Sequence, residues 1–112
     1  MKLKLVLKAI ADETRMKIVM LLLGQNYCVR ALARNLNLTE ATISQHLKVL
    51  REAGLIIGVK KGYFMHYDVE RAVLHELARE IDALARIERK TCCGKDHTEG
   101  DAYHGHCQCQ KP

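Results

Sequence analysis

Over most of this 112-residue chain the apolar positions recur at helical spacing, and one short stretch alternates as paired strands do. Leu3, Leu7 and Ile10 fall on one face of a first helix over 1–11, with lysines elsewhere. Asp12 is placed to cap a second helix, and Glu13 lies in its first turn, where the helix dipole favours an acid. That helix runs to Leu23 and stops at Gly24. Because Met16 and the run from Ile18 to Leu23 are apolar nearly all round, it is expected to be the buried central helix. After a GQNY loop, Cys28 opens a third helix with Val29, Leu32, Ala33 and Leu36 at i, i+3, i+4 and i+7. A short polar turn delivers Thr39 as the N-cap of a fourth helix, whose core face is Ile43, Leu47 and Leu50 and whose end is set by Gly54.

LIIGVKKGYFMHYD then reads as a β-hairpin, 55–59 and 63–67, turning at Lys60-Lys61-Gly62. From Glu70 to about Lys90 the spacing of Leu74, Leu77, Ile81 and Leu84 is three, four, three, close to the 3.5-residue repeat of a helix that pairs with another helix. A dimer-forming helix is expected there, with packing onto its own body as the simpler alternative. The pattern collapses at Thr91. Two parts follow, a folded domain over 1–90 and a Cys/His-rich tail over 91–112 that buries too little to fold without a ligand.

Charge divides at the same place. The tail holds 2 of the 18 Lys/Arg and 3 of the 13 Asp/Glu, leaving 16 against 10 in the body, so the body is +6 and the tail −1. A basic body suits nucleic acid or another anionic surface. The longest apolar run, 18–23, is far short of the roughly 20 residues of a membrane span, and the N-terminus lacks the features of a cleaved signal. A cytoplasmic protein is expected, where five cysteines serve as metal ligands or redox thiols rather than structural disulfides.

The third and fourth helices with their turn form a candidate helix-turn-helix. A helix that enters the DNA major groove needs short hydrogen-bonding side chains near its start and basic ones farther along for phosphates. Thr39, Thr42, Ser44, Gln45 and His46 meet the first need, and Gln45 can pair with an adenine edge. Lys48, Arg51, Arg30 and Arg34 meet the second. A polar helix face that merely meets water is the alternative, but Lys60, Lys61 and Tyr63 on the following hairpin would form a wing beside the duplex.

LKAIADETRMKIVMLL, the C-V-x-A-L-A opening of the third helix, LTEATISQHLKVLREAGLI and KKGYFMHY together resemble the ArsR/SmtB family of metal-responsive bacterial repressors, most specifically over 44–55. The resemblance implies a mainly α winged helix-turn-helix fold, dimeric through its first and last helices, and an operator of two related half-sites in double-stranded DNA that is released when an inducer binds. Three departures stand out. Glu40 occupies a position where the family often has Gln, and Cys28-Val29-Arg30 keeps one thiol of the Cys-Val-Cys found in many arsenic and cadmium sensors. The Asp-x-His pair of the zinc-type site is missing, since Asp82 is followed by Ala83 and Leu84.

The tail carries the strongest chemical signal: Cys92, Cys93, His97, His104, His106, Cys107 and Cys109. These soft and borderline donors suit Zn, Cd, Ni, Cu(I) or As(III) as inducer. Cys28, at a helix start beside Arg30, is a further candidate ligand, although such a cysteine also serves simply as packing. His66 and His75 read as solvated or core-edge residues. The leading expectation is a metal- or metalloid-responsive repressor. A thiol redox or persulfide-responsive repressor and a metal-sequestering protein with incidental DNA affinity are the alternatives. No nucleophile, base and orienting group stand at an interpretable spacing, so an enzyme is not expected.

Overall fold

The structure, a computed structural model, describes residues 3–92. Five helices and three short strands follow one another as α1 (Leu3–Ile10), α2 (Glu13–Gly24), β1 (Tyr27–Cys28), α3 (Val29–Leu36), α4 (Glu40–Glu52), β2 (Ile56–Lys61), β3 (Phe64–Val69) and α5 (Arg71–Ala85). The chain divides into two compact units at Asp82, inside α5. In the first unit, Ile18, Leu32, Ile43, Leu47, Leu50, Leu55 and Ile56 are completely buried and draw α2, α3, α4 and β2 onto one core, joined by Val6 of α1, Tyr67 of β3 and Leu77 of α5.

The local chemistry sets the boundaries. Asp12 caps α2 by accepting from the N–H of Arg15 at 3.0 Å, and Thr39 caps α4 by accepting from that of Thr42 at 3.1 Å. Asn37 closes α3 in the left-handed region at φ 58°, and Gly54 follows α4 at φ 82°, a conformation that a side chain would strain. Arg71 of α5 donates to the carbonyl of Leu23 at 2.9 Å, satisfying an oxygen that the end of α2 leaves without a helical partner.

Several expectations shift. Tyr27 and Cys28, read as loop and helix start, form β1, so the hairpin becomes a three-stranded antiparallel sheet in the order β1-β3-β2. Two residues carry too short a pattern to announce a strand. The hairpin turns at Gly62-Tyr63 rather than at the lysines: Lys61 pairs with Phe64, and the positive φ of Gly62 alone matches a type II′ turn. Lys60 and Lys61 therefore lie on β2. In α1 the buried residues are Val6 and Ala9, while Leu7 and Leu5 are exposed. α2 buries Ile18, Val19 and Leu22 but exposes Met20 at 64%, so it is central without being enclosed. Finally, α5 ends at Ala85, and Cys92 lies in a turn seven residues beyond it. Of the apolar seam on α5, Leu77 is buried and Leu74 packs against the core, whereas Ile81 and Leu84 are exposed. Among the described residues no helix is long and apolar enough to cross a membrane.

Candidate nucleic-acid interface

Helix α4 is positioned from within. With Ile43, Leu47 and Leu50 in the core, helical geometry turns Ser44, Gln45, Lys48 and Arg51 outward, and all four are exposed. Thr42 and His46 are half-buried beside them. At the start of the helix Thr39 accepts from the Thr42 amide and donates its own hydroxyl proton to Thr42 Oγ1 at 2.9 Å. The Thr39 hydroxyl proton is thus used within the cap, leaving its oxygen one lone pair for an outside donor, and Thr42 keeps a hydroxyl proton for an outside acceptor.

Around this helix the basic residues are unequal. Arg34, Lys48 and Arg51 are exposed and make no ion pair among the described residues, as do Lys60 and Lys61 on the wing, where Tyr63 at the turn is 96% exposed. Arg30 instead lies 3.9 Å from Glu40 across the turn between α3 and α4. Both partners are well exposed, so the pair contributes little to stability. Its effect is electrostatic: Glu40 tempers the charge of Arg30 and is itself offset in front of an approaching phosphate. The departure at Glu40 is therefore accommodated within the protein.

Behind α4 stands Arg15, absent from the sequence-derived site. Its side chain donates to the carbonyls of Ala9 and Lys8 and approaches His46 Nδ1 at 3.4 Å. Asp12 completes the cluster. The backbone N–H of Arg15 holds the Asp12 carboxyl below its ordinary value, outweighing the opposing effect of desolvation, with smaller help from the charge of Arg15. A lone Arg in an apolar helix gave no sequence signal for this role, because its partners are backbone oxygens and a residue 31 positions away.

A polar row on a core-anchored helix, a second helix before it and a basic hairpin after it form the winged helix-turn-helix arrangement. Comparison with known proteins agrees. The model of the arsR family of bacterial regulatory proteins matches residues 12–57, which span α2 to the start of β2. The arsenical resistance operon repressor of Escherichia coli K12 is 40% identical over 85 residues, 74% of this chain and 72% of that protein. The chain belongs to the arsR family. An ArsR-like transcriptional regulator from Rhodococcus sp. RHA1 has a similar structure, with a TM-score of 0.70, 31% identity and coverage of 74% of this chain and 78% of that one. So does the homodimeric winged helix-turn-helix DNA-binding domain of a protein from Mycobacterium bovis described as a possible ArsR-family transcriptional regulator, with a TM-score of 0.62, 25% identity and coverage of 85% and 86%.

In this arsR-family member the sequence-predicted metal donors separate. Cys93, His97, His104, His106, Cys107 and Cys109 lie outside the described residues. Cys28 caps α3 without a side-chain hydrogen bond and stands directly opposite His66, in the central strand β3. His66 has Val59 as its neighbour on the other side, and its Nδ1 is buried with no hydrogen-bond partner. The reading of His66 as a solvated or core-edge residue missed this juxtaposition, which needs a strand, β1, that the sequence pattern does not reveal. Two donors do not close a site, and no group of three His, Cys, Asp or Glu able to hold a metal occurs among the described residues. His75 is exposed on α5, as a solvated histidine should be.

Proposed function

We propose that this arsR-family regulator is a cytoplasmic, homodimeric repressor that binds two operator half-sites when metal-free and lets go when its cysteines coordinate a soft metal ion or As(III). The observation that carries the DNA half of this reading is the exposed row Ser44, Gln45, Lys48 and Arg51 on a helix anchored by three buried residues, with Lys60, Lys61 and Tyr63 on an adjoining wing. Thr39, Thr42, His46, Arg30 and Arg34 complete the contact set. Dimerisation is supported by the exposed Ile81 and Leu84 of α5 and by the homodimeric relative.

The inducer half rests on donor chemistry. Once reduced, Cys92 and Cys93 with His97, His104, His106, Cys107 and Cys109 would supply thiolate and imidazole, the ligands that soft ions prefer, and Cys28 is the one further thiol, with His66 beside it. The similarity to an arsenical resistance repressor favours As(III) among the candidates, ahead of Cd, Zn, Ni and Cu(I).

The test is a titration of the protein on its operator, with thiols reduced, against each ion in turn while the ultraviolet sulfur-to-metal band is followed. Release in step with the band is expected, and the variant Cys92→Ser with Cys93→Ser should bind DNA but no longer release it. Operator affinity unmoved by every ion would refute metal sensing, and release by oxidant alone would favour a thiol switch. On the DNA side, Gln45→Ala should relax base preference by roughly 1–3 kcal/mol. Lys61→Ala should weaken binding to all sequences alike and reduce the salt slope by about one.

A further inference from the structure

The guanidinium of Arg15 sits where three segments meet. Its Nε donates to the Ala9 carbonyl at 2.6 Å and its Nη2 to that of Lys8 at 3.2 Å. Both oxygens belong to the last four residues of α1, whose carbonyls have no partner within the helix. The backbone N–H of the same residue is held by Asp12 at 3.0 Å, so Arg15 is fixed at both ends. With two of the three nitrogens of a rigid planar fork committed, the third, Nη1, faces Nδ1 of His46 at 3.4 Å. This is the ring's one hydrogen bond among the described residues.

A guanidinium has donors and no acceptor. The imidazole nitrogen facing it must therefore accept, and the proton of the neutral ring sits on Nε2. The separation is long for a hydrogen bond, so its energy is small, but a small energy suffices to choose between two tautomers of similar stability. His46 lies in α4 immediately after Gln45 and one turn before Leu50, half-buried beside the exposed polar row.

We infer that Arg15 is a positioning residue for DNA recognition, which holds His46 as the Nε2–H tautomer so that α4 presents a hydrogen-bond donor at this point. A donor there accepts as its partner guanine N7 or O6, adenine N7, thymine O4 or a phosphate oxygen, and it rejects the amine of cytosine. Because the same guanidinium is tied to the end of α1, the orientation of the ring is set by the junction of α1 and α2 as well as by α4 itself. The inference rests on the proposal that α4 enters the groove.

Two measurements on the full-length protein test it. Long-range proton–nitrogen NMR of the histidine rings, with His46 assigned by its loss in His46→Gln, should show a pure Nε2–H pattern in the wild type at neutral pH. An averaged or Nδ1–H pattern overturns the inference without reference to DNA. The second is a double-mutant cycle read as the affinity ratio between a duplex enriched by the wild type from a random-sequence library and a scrambled duplex. Arg15→Lys keeps the charge and loses the fork. It should lower the ratio roughly three- to tenfold in the wild-type background, the worth of one hydrogen bond, and by less than about twofold in the His46→Gln background. Equal losses in both backgrounds mean that Arg15 acts by another route and overturn the inference alone. A wild type that does not discriminate the two duplexes overturns the groove-binding proposal and this inference with it.

Discussion

Helices α4 and α5 are of similar length and both carry apolar residues at three- and four-residue spacing, yet they use them differently. α4 places Ile43, Leu47 and Leu50 wholly in the core and turns a polar, partly basic row outward. α5 buries Leu77, packs Val73 and Leu74 against the core, and leaves Ile81 and Leu84 exposed at 45% and 57%, with Ile87 beyond its end at 71%. The outward face of α4 is matched to a charged, hydrogen-bonding surface. That of α5 is matched to another apolar surface, because large apolar side chains left in sequence register gain free energy only by being covered. On the proposed function, recognition of DNA and recognition of a second subunit would thus fall to separate helices of one small domain.

The largest effect should come from breaking the inner face of α4. Leu47→Ala removes a side chain that is 1% exposed, and the lost burial and residual cavity should destabilise the protein by about 2–5 kcal/mol. A urea titration followed by circular dichroism measures it. A loss below about 1 kcal/mol would mean that α4 is not held from inside as described.

Substitution on the outer face of α5 should separate association from folding. Ile81→Glu with Leu84→Glu adds charge where both side chains already meet solvent in the subunit, so the midpoint of the subunit's own unfolding should move little. The dimer should weaken by at least about a hundredfold, since burying two such side chains is worth roughly 1.5–3 kcal/mol each. Sedimentation equilibrium at several concentrations reads this directly. An unchanged dimer would place the interface elsewhere, on α1 for example, where Leu5 and Leu7 are also exposed.

Much of this contrast was legible in the sequence. The α4 core face, its Thr39 cap and the glycine after it follow from periodicity and capping chemistry, both local properties, and each is where the pattern puts it. The motif run over 44–55 carried the most specific part of the family resemblance for the same reason, since its residues are contiguous. What the sequence hid depends on distant partners. β1 exists because Tyr27 and Cys28 pair with Tyr67 and His66, some 40 positions on, and no pattern of two residues announces that. The seam on α5 has a spacing close to 3.5 residues, but that spacing could not say that its first half would be covered by the chain's own core and its second half left exposed. In α1 Leu3 and Ile10 pack against the core as the pattern favours, but the fully buried positions are Val6 and Ala9 and Leu7 is exposed, a shift of the inner face that periodicity over so short a helix does not resolve. Arg15 was invisible as a site residue, its partners being backbone carbonyls.

The smallest expected effect distinguishes how the helices are held at their starts. α4 is capped by an uncharged hydroxyl, whereas α2 is capped by the Asp12 carboxylate, beside the Arg15 that contacts α4. The Arg15 N–H holds the folded-state carboxyl below the ordinary value of 3.8, so the folded protein binds its proton more weakly than the unfolded chain does. The stabilisation is therefore fully present above that ordinary value and is lost as pH falls through the lower, folded-state one. In urea titrations stepped through the acid range, the wild type should lose this increment and Asp12→Asn, which still caps but cannot titrate, should not. Parallel acid profiles for the two proteins would show that the carboxylate contributes through its shape alone.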